Sequence, residues 1–423
     1  MHASSSSSPH KTPDRTVGFN EFLALIASLM ACQALAVDAM LPALPTISHA
    51  LGIDDQNHAQ WIVTAYVIGM GIGQLFWGVI SDRFGRRPVL LTGLALYAVA
   101  ALLVGLSTSF FGLLVWRCVH GIAAASVIIS RSVIRDLYDG RQMARVMSLT
   151  FIVFLMVPII APSVGQLILL AAPWRYLFLM FTVFSCVVWT WVYLRLPETL
   201  HPEYRYTLTL EHTWQSTKLV IGNPISRYYT LASTMTFAGI IAYVGMVQQI
   251  FEEVFHRPKL MPAVFALCAA SMGVTAFINS KIVERVGMRI MSQVGLLTFL
   301  GASLVHTLVV ALGHESMITF VILQSITLAC VGVMGANFGA MAMEPMGSVA
   351  GIAASLQGCM STAGAAIIGA LIGKQFNGTT LPLAAGSAVC GVLALMFVLL
   401  AEHGKLFRPQ HASETFNFEN SLH

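Results

Sequence analysis

Residues 78–87 read Gly78-Val79-Ile80-Ser81-Asp82-Arg83-Phe84-Gly85-Arg86-Arg87. Four charges and two glycines are gathered here between two uncharged apolar runs, 60–80 and 89–106. A helix needs about 20 apolar residues to cross a bilayer, because no water is present there to satisfy its backbone groups. The ten residues are therefore the turn between two antiparallel spans. Gly78 allows a neighbouring helix to come close, Asp82 can accept hydrogen bonds at a helix end or pair with an arginine, and Gly85 permits the tight turn. The plainer reading of the same residues is an ordinary basic loop on one side of a membrane.

The same reasoning carried outward gives twelve spans, at 19–41, 60–80, 89–106, 110–134, 143–170, 174–196, 228–249, 260–280, 290–312, 317–340, 350–372 and 381–401. With 57% hydrophobic residues, 10% charged and a mean hydropathy of +0.76, the 423-residue chain is an all-α membrane protein. Lys and Arg gather in cytoplasmic loops. If the N-terminus is inside, eighteen of the 23 fall on the cytoplasmic side, and Arg175, Arg257, Lys259 and Lys374 fall on the other. Arg117 remains within a span. Both termini are thus expected in the cytoplasm, and the net charge of +4 needs no nucleic acid to explain it.

The polar stretch between spans six and seven divides the chain. We read a cytoplasmic tail at 1–18, with the run Ser4 to Ser8 and no layout of a cleaved signal peptide, then a six-helix bundle at 19–197. A cytoplasmic linker follows at 198–227, a second six-helix bundle at 228–401 and a tail at 402–423. Gly78, Asp82, Arg83 and Gly85 are echoed by Ser280, Glu284, Arg285 and Gly287 after span eight, a weak internal repeat. The seven cysteines lie in apolar stretches without CxxC or His/Cys clustering, so neither disulfides nor a metal site are expected.

Asp38 is the one acidic residue clearly inside a span, and Arg117 is the arginine left deep within one. Arg117 lies seven residues into span four, above Gly121 and Ala125 at helical spacing, where insertion is disfavoured by at least about 2.5 kcal/mol. It should face the bundle interior with a partner. Asp38 is near the outer end of span one, at a depth similar to that of Arg117, so the two can meet. Burial favours the neutral form of a carboxyl group and a nearby guanidinium favours the charged form. Separating such a pair would thus drive proton uptake. A static buried ion pair is the alternative. In span five, Pro158, Pro162 and Gly165 share one face and imply a bend, fixed or flexing.

These strings resemble those of the major facilitator superfamily. Residues 78–87 are similar to its signature loop, and the resemblance makes Gly78, Asp82, Arg83, Gly85, Arg86 and Arg87 a conformational latch. Leu113, Arg117 and Gly121 resemble its fourth-helix motif, whose arginine is linked to proton transfer. His120 stands there in place of a glutamine, and either titrates or substitutes as a hydrogen-bonding group. Pro158, Pro162 and Gly165 resemble the fifth-helix motif of antiporters, although Val157, Ala161 and Gln166 depart from it. Asp38 followed by Leu41-Pro42 and Leu44-Pro45 is similar to the bicyclomycin and chloramphenicol resistance (Bcr/CflA) subfamily of drug:proton antiporters. Pro173-Trp174-Arg175, Leu196-Pro197-Glu198-Thr199 and the glycine-bounded 351–358 agree with that subfamily. The resemblance implies two pseudo-symmetric six-helix bundles in a bacterial inner membrane.

Tyr66, Gln74, Met156, Tyr243, Gln324, Asn337 and Gln357 are candidates to line a substrate cavity, or else bond helix to helix. His306 reads as an isolated structural histidine. No Walker-type phosphate loop, serine elbow or HExxH is present, so ATP, hydrolytic chemistry and cofactors are not expected. The leading expectation is proton-coupled export of drug-like small molecules by a chain that can act as a monomer, with Asp38, Arg117 and His120 in the coupling. A proton-coupled transporter of an endogenous metabolite, such as an amino acid or sugar, is the alternative. A membrane receptor that has kept the fold without transport is a third reading.

Overall fold

The structure, a computed structural model, describes residues 17–53, 56–138, 140–200 and 210–407. Most of the two expected tails and part of the linker lie outside these residues. The first bundle runs α1 (Phe19–Asp38), α2 (Leu44–Ala50), α3 (Gln60–Phe84), α4 (Arg86–Leu106), α5 (Phe110–Ile122), α6 (Ser126–Leu137), α7 (Gly140–Ala171) and α8 (Arg175–Arg195). A linker helix, α9 (Leu210–Gly222), leads to the second bundle. That bundle holds α10 (Pro224–Gln249), α11 (Met261–Val286), α12 (Met288–Ala311), α13 (Met317–Met343), α14 (Ala350–Gly373) and α15 (Leu381–Ala401). Eleven helical stretches among the described residues are long and apolar enough to cross a membrane. Within α7 the described apolar part is Met156–Ala171, which supplies the twelfth crossing.

Single glycines make the turns that the repeat marked. Gly85 joins α3 to α4 at φ +102°, and Gly287 joins α11 to α12 at φ +94°, backbone conformations that a side chain would strain. Elsewhere the helix starts use local caps. Ser109, Asn223 and Ser316 each accept a hydrogen bond from a backbone N–H three residues on.

Span four departs from the continuous helix expected over 110–134. It breaks between Ile122 and Ser126, and the Trp77 indole N–H donates to the Ile122 carbonyl that a continuing helix would use. Ala125 therefore sits at the break and not in one stack with Arg117 and Gly121.

The two bundles meet along two seams, α3 against α14 and α7 against α11. At the first seam small residues bring backbones together. A Cβ on Gly71 would lie 2.7 Å from the Ala363 backbone nitrogen, and one on Gly373 would lie 1.7 Å from Gln60 Oε1. We call the end that holds Phe19, Gly85 and Ala401 the terminal end, and the end that holds Ala39, Gln60 and Gln249 the far end.

Candidate functional site: a buried arginine, an unpaired carboxyl and a glycine turn

Arg117 is fully buried in the first bundle. Its Nε donates to the Ile62 carbonyl of α3 at 3.1 Å, and Nη2 donates to the Ala36 carbonyl of α1 at 3.1 Å. Nη1 is 3.4 Å from His120 Nδ1, and the guanidinium lies 4.6 Å from the Tyr66 ring centroid. Glycines let the helices approach closely enough for this. A Cβ on Gly121 would stand 2.0 Å from the Tyr66 carbonyl oxygen, and one on Gly69 would stand 2.1 Å from that of Cys118.

The expected meeting of Asp38 with Arg117 is not what the structure contains. Asp38, 7% exposed, makes no ion pair or hydrogen bond through its side chain among the described residues. The reason lies in the end of α1. Asp38 is its last residue, so the carbonyls of the final turn lack helical donors and form the negative end of the helix. Arg117 caps that end through Ala36, and its charge is offset by neutral carbonyls and an aromatic face. Gly165 belongs to the same neighbourhood, because a Cβ there would fall 1.8 Å from the Ala39 carbonyl oxygen. It allows α7 to press against the end of α1, while Pro158 and Pro162 lie within the unbroken helix α7.

His120 faces Arg117 with Nδ1, which makes that nitrogen the acceptor and places the ring N–H on Nε2. Nε2 and the Tyr66 hydroxyl are both buried without a partner. Tyr97 packs on the imidazole at a centroid distance of 4.0 Å and donates to the Cys32 carbonyl of α1 at 2.5 Å. Two polar groups around Arg117 thus stand ready to bond a mobile donor or acceptor.

At the terminal end the glycine turn has a charged core. Arg86, not Arg83, is the buried cation. Its Nε bonds Asp136 Oδ2 at 2.9 Å, and Nη1 reaches Ser81 Oγ at 2.8 Å and the Asp82 carboxylate. Arg83 is exposed beside Phe84, and Arg87 donates to the Tyr193 carbonyl at 2.6 Å. Glu198 accepts from the backbone N–H groups of Arg86 at 2.8 Å, Arg87 at 3.1 Å, Thr199 at 3.0 Å and Leu200 at 2.9 Å. It therefore caps α4 from across the bundle. A Cβ on Gly85 would lie 2.5 Å from Glu198 Oε2, so the glycine serves this carboxylate as well as the turn. Sequence reasoning gave Asp136 and Glu198 no role. Glu198 stands in a short polar string with no pattern of its own, and Asp136 lies 50 residues from Arg86 with no spacing to mark it. Gly78 lies in the seam, where a Cβ would be 3.4 Å from Ser355 Oγ of α14.

The candidate cavity residues fall into different settings. Tyr66 belongs to the Arg117 cluster. Gln74 donates across the seam to Thr362 Oγ1 at 3.1 Å. Asn337 and Asn279 bond each other in both directions, and Gln357 donates to Ser226 Oγ at 2.8 Å and the Ala342 carbonyl at 3.0 Å. These last two hold helices of the second bundle together. Tyr243 stacks on Phe265 with its hydroxyl buried and unpaired, Gln324 is buried, and Met156 is 46% exposed. His306 is not isolated, because its Nε2 lies 2.8 Å from Glu315 Oε1.

The two helical bundles and the family to which they belong make this chain a membrane transporter and not an enzyme. A profile of the Major Facilitator Superfamily matches residues 26–369, and the chain belongs to that superfamily. A bicyclomycin resistance protein homolog of Haemophilus influenzae is 28% identical over 379 residues, 89% of this chain and 94% of its own length. A multidrug resistance protein MdtL of Klebsiella pneumoniae is 28% identical over 396 residues, 90% of this chain and 95% of its own. Among solved structures, a D-xylose-proton symporter superposes with a TM-score of 0.69 at 14% identity, over 91% of this chain and 99% of that one. A peptide transporter POT in complex with sulfate gives 0.70 at 16% identity, over 92% and 96%. At such identities the likeness to these structures is one of fold.

Proposed function

We propose that the protein exports drug-like small molecules across a bacterial inner membrane in exchange for protons, by alternating access between the two bundles. The distribution of Lys and Arg supports both termini in the cytoplasm, with the far end towards the periplasm. The names of the relatives from Haemophilus influenzae and Klebsiella pneumoniae support the substrate class.

The observation that carries the coupling is the unpaired state of Asp38. Arg117 is already engaged by carbonyls and no cationic side chain among the described residues pairs with Asp38, so a proton can neutralise the buried carboxyl. Asp38 takes a proton when the far end opens to the periplasm and gives it up inside. Asp38 is the last residue of α1, whose end Arg117 caps through Ala36, and His120 Nε2 and the Tyr66 hydroxyl are unspent hydrogen-bonding groups around that arginine. The driving force is about 2.3 kcal/mol per charge per 100 mV, plus the pH difference. Residues 78–87 act as the latch at the cytoplasmic end. Substrate is taken up between the bundles, with Met156, Tyr243 and Gln324 the remaining candidates to meet it. One chain provides both bundles, so a monomer is sufficient.

The test is proton release from the detergent-solubilised protein on addition of chloramphenicol-like and cationic drugs at fixed pH. Release by the parent and none by Asp38→Asn is the expected result. Equal release by Asp38→Asn would remove the aspartate from the coupling.

A further inference from the structure

Three amide side chains join the two bundles at the far end. Gln60, at the start of α3, donates to Gln249 Oε1 of α10 at 3.2 Å and to the Gly373 carbonyl of α14 at 3.2 Å. Gln249 donates in turn to Asn57 Oδ1 at 3.0 Å, and Asn57 donates to the Phe376 carbonyl at 3.1 Å. Gln60 and Gln249 are 4% and 8% exposed, so the cluster is a closed plug. No carboxylate or cation takes part in these four bonds. An amide bond of this kind contributes far less net stability than breaking a buried ion pair costs.

A cavity lies beside the plug, bounded by Leu44, Pro45 and Ser48 of the first bundle and Gly245 and Gln248 of the second. Gln248 Oε1 is buried there without a donor. Immediately after Gln249 the helix changes hand-hold: Ile250–Val254 is a π-helical turn, and Glu252 Oε2 within it is also buried and unpaired. A π turn has already given up the regular ladder, and two acceptors that lack donors gain partners once water enters. The far-end tip of α10 therefore gains hydrogen-bond partners when the bundles part.

We propose that Asn57, Gln60 and Gln249 form the far-end gate of the transporter, an uncharged plug that opens by movement of α10 at the Ile250–Val254 turn. The inference rests on the alternating-access reading, and on neither its proton coupling nor its substrates. Gly373 is part of the device, since any side chain there would displace the Gln60 amide.

The experiment is double electron–electron resonance on the full chain in lipid nanodiscs, with Cys118, Cys186 and Cys359 replaced by serine. One label pair spans the far end, at Ala50 and Lys374; the other spans the terminal end, at Arg83 and Arg285. All four positions are exposed. Gln60→Ala raises the ratio of long to short far-end distances on the order of 10-fold over wild type, and the terminal pair shortens reciprocally. Gln249→Ala gives the same shift, and the double variant adds little to either, because they share a bond. Gly373→Ala is the third route to the same readout should a variant fail to accumulate. A wild-type mixture of both distances whose ratio none of these variants changes would overturn the gate alone. Lengthening at the far end without shortening at the terminal end would also overturn it, as local fraying. A single distance in every variant would overturn the alternating-access reading beneath it.

Discussion

The seam between the bundles and the interior of each bundle are held by different chemistry. Within a bundle charged bonds join helices, beside neutral ones such as Asn279 with Asn337: Asp82 and Asp136 with Arg86, Glu198 on the start of α4, Arg117 on the end of α1, Arg289 with Glu402, His306 with Glu315. Across the seam, every side-chain hydrogen bond among the described residues is made by an amide: Asn57, Gln60, Gln74 and Gln249. A bundle that moves as a rigid body can keep its strong buried contacts. A seam that must part in each transport cycle is better made of bonds worth about 1 kcal/mol, which water can replace. The difference separates what is fixed in this protein from what moves.

Substitutions inside a bundle should therefore act on stability, and substitutions in the seam on the conformational ratio. The largest effect is expected for Arg117→Met, which leaves the Ala36 and Ile62 carbonyls without donors and removes the cation from the Tyr66 ring. A loss of about 3 kcal/mol is predicted, read as a lower melting temperature in detergent. Arg117→Lys should recover little of it, because a single ammonium cannot span carbonyls on two helices as the guanidinium does. Glu198→Ala frees the backbone donors at the start of α4 and should cost about 2 kcal/mol, with Glu198→Gln intermediate. Gln74→Glu combined with Thr362→Lys would put an ion pair into the seam where an amide bond now lies. That pair should slow transport at least about 10-fold without lowering the melting temperature, and an unimpaired rate would break the distinction between seam and interior. The smallest effect is expected at Arg195, which bonds Glu21 at 2.7 Å on the solvated surface. Arg195→Gln should leave both melting and transport unchanged at physiological salt.

Much of this plan is legible along the chain. The spans follow from the spacing of charges, and the turn glycines Gly85 and Gly287 follow from the repeat that places them 202 residues apart. Depth along a helix is also readable, which is why Asp38 and Arg117 were expected at one level. What depth cannot say is which partner the arginine takes. The end of α1 offers unsatisfied carbonyls that no side-chain pattern records, and these, not the carboxylate, hold Arg117. The break in span four is hidden for a similar reason, since it depends on an indole from α3 reaching the Ile122 carbonyl. Gln60 and Gln249 stand at span ends, where an amide in sequence looks like any residue at a membrane surface. Their meeting is a fact of how the two bundles pack, 189 residues apart.

The central claim is that Asp38 couples proton movement to export. It is tested most directly in proteoliposomes by comparing two assays on wild type and Asp38→Asn: drug accumulation driven by an imposed pH gradient, and drug counterflow without one. The account predicts that Asp38→Asn loses gradient-driven accumulation and its dependence on pH yet retains counterflow, because the gate and the latch are intact. Accumulation by Asp38→Asn equal to that of wild type would contradict it.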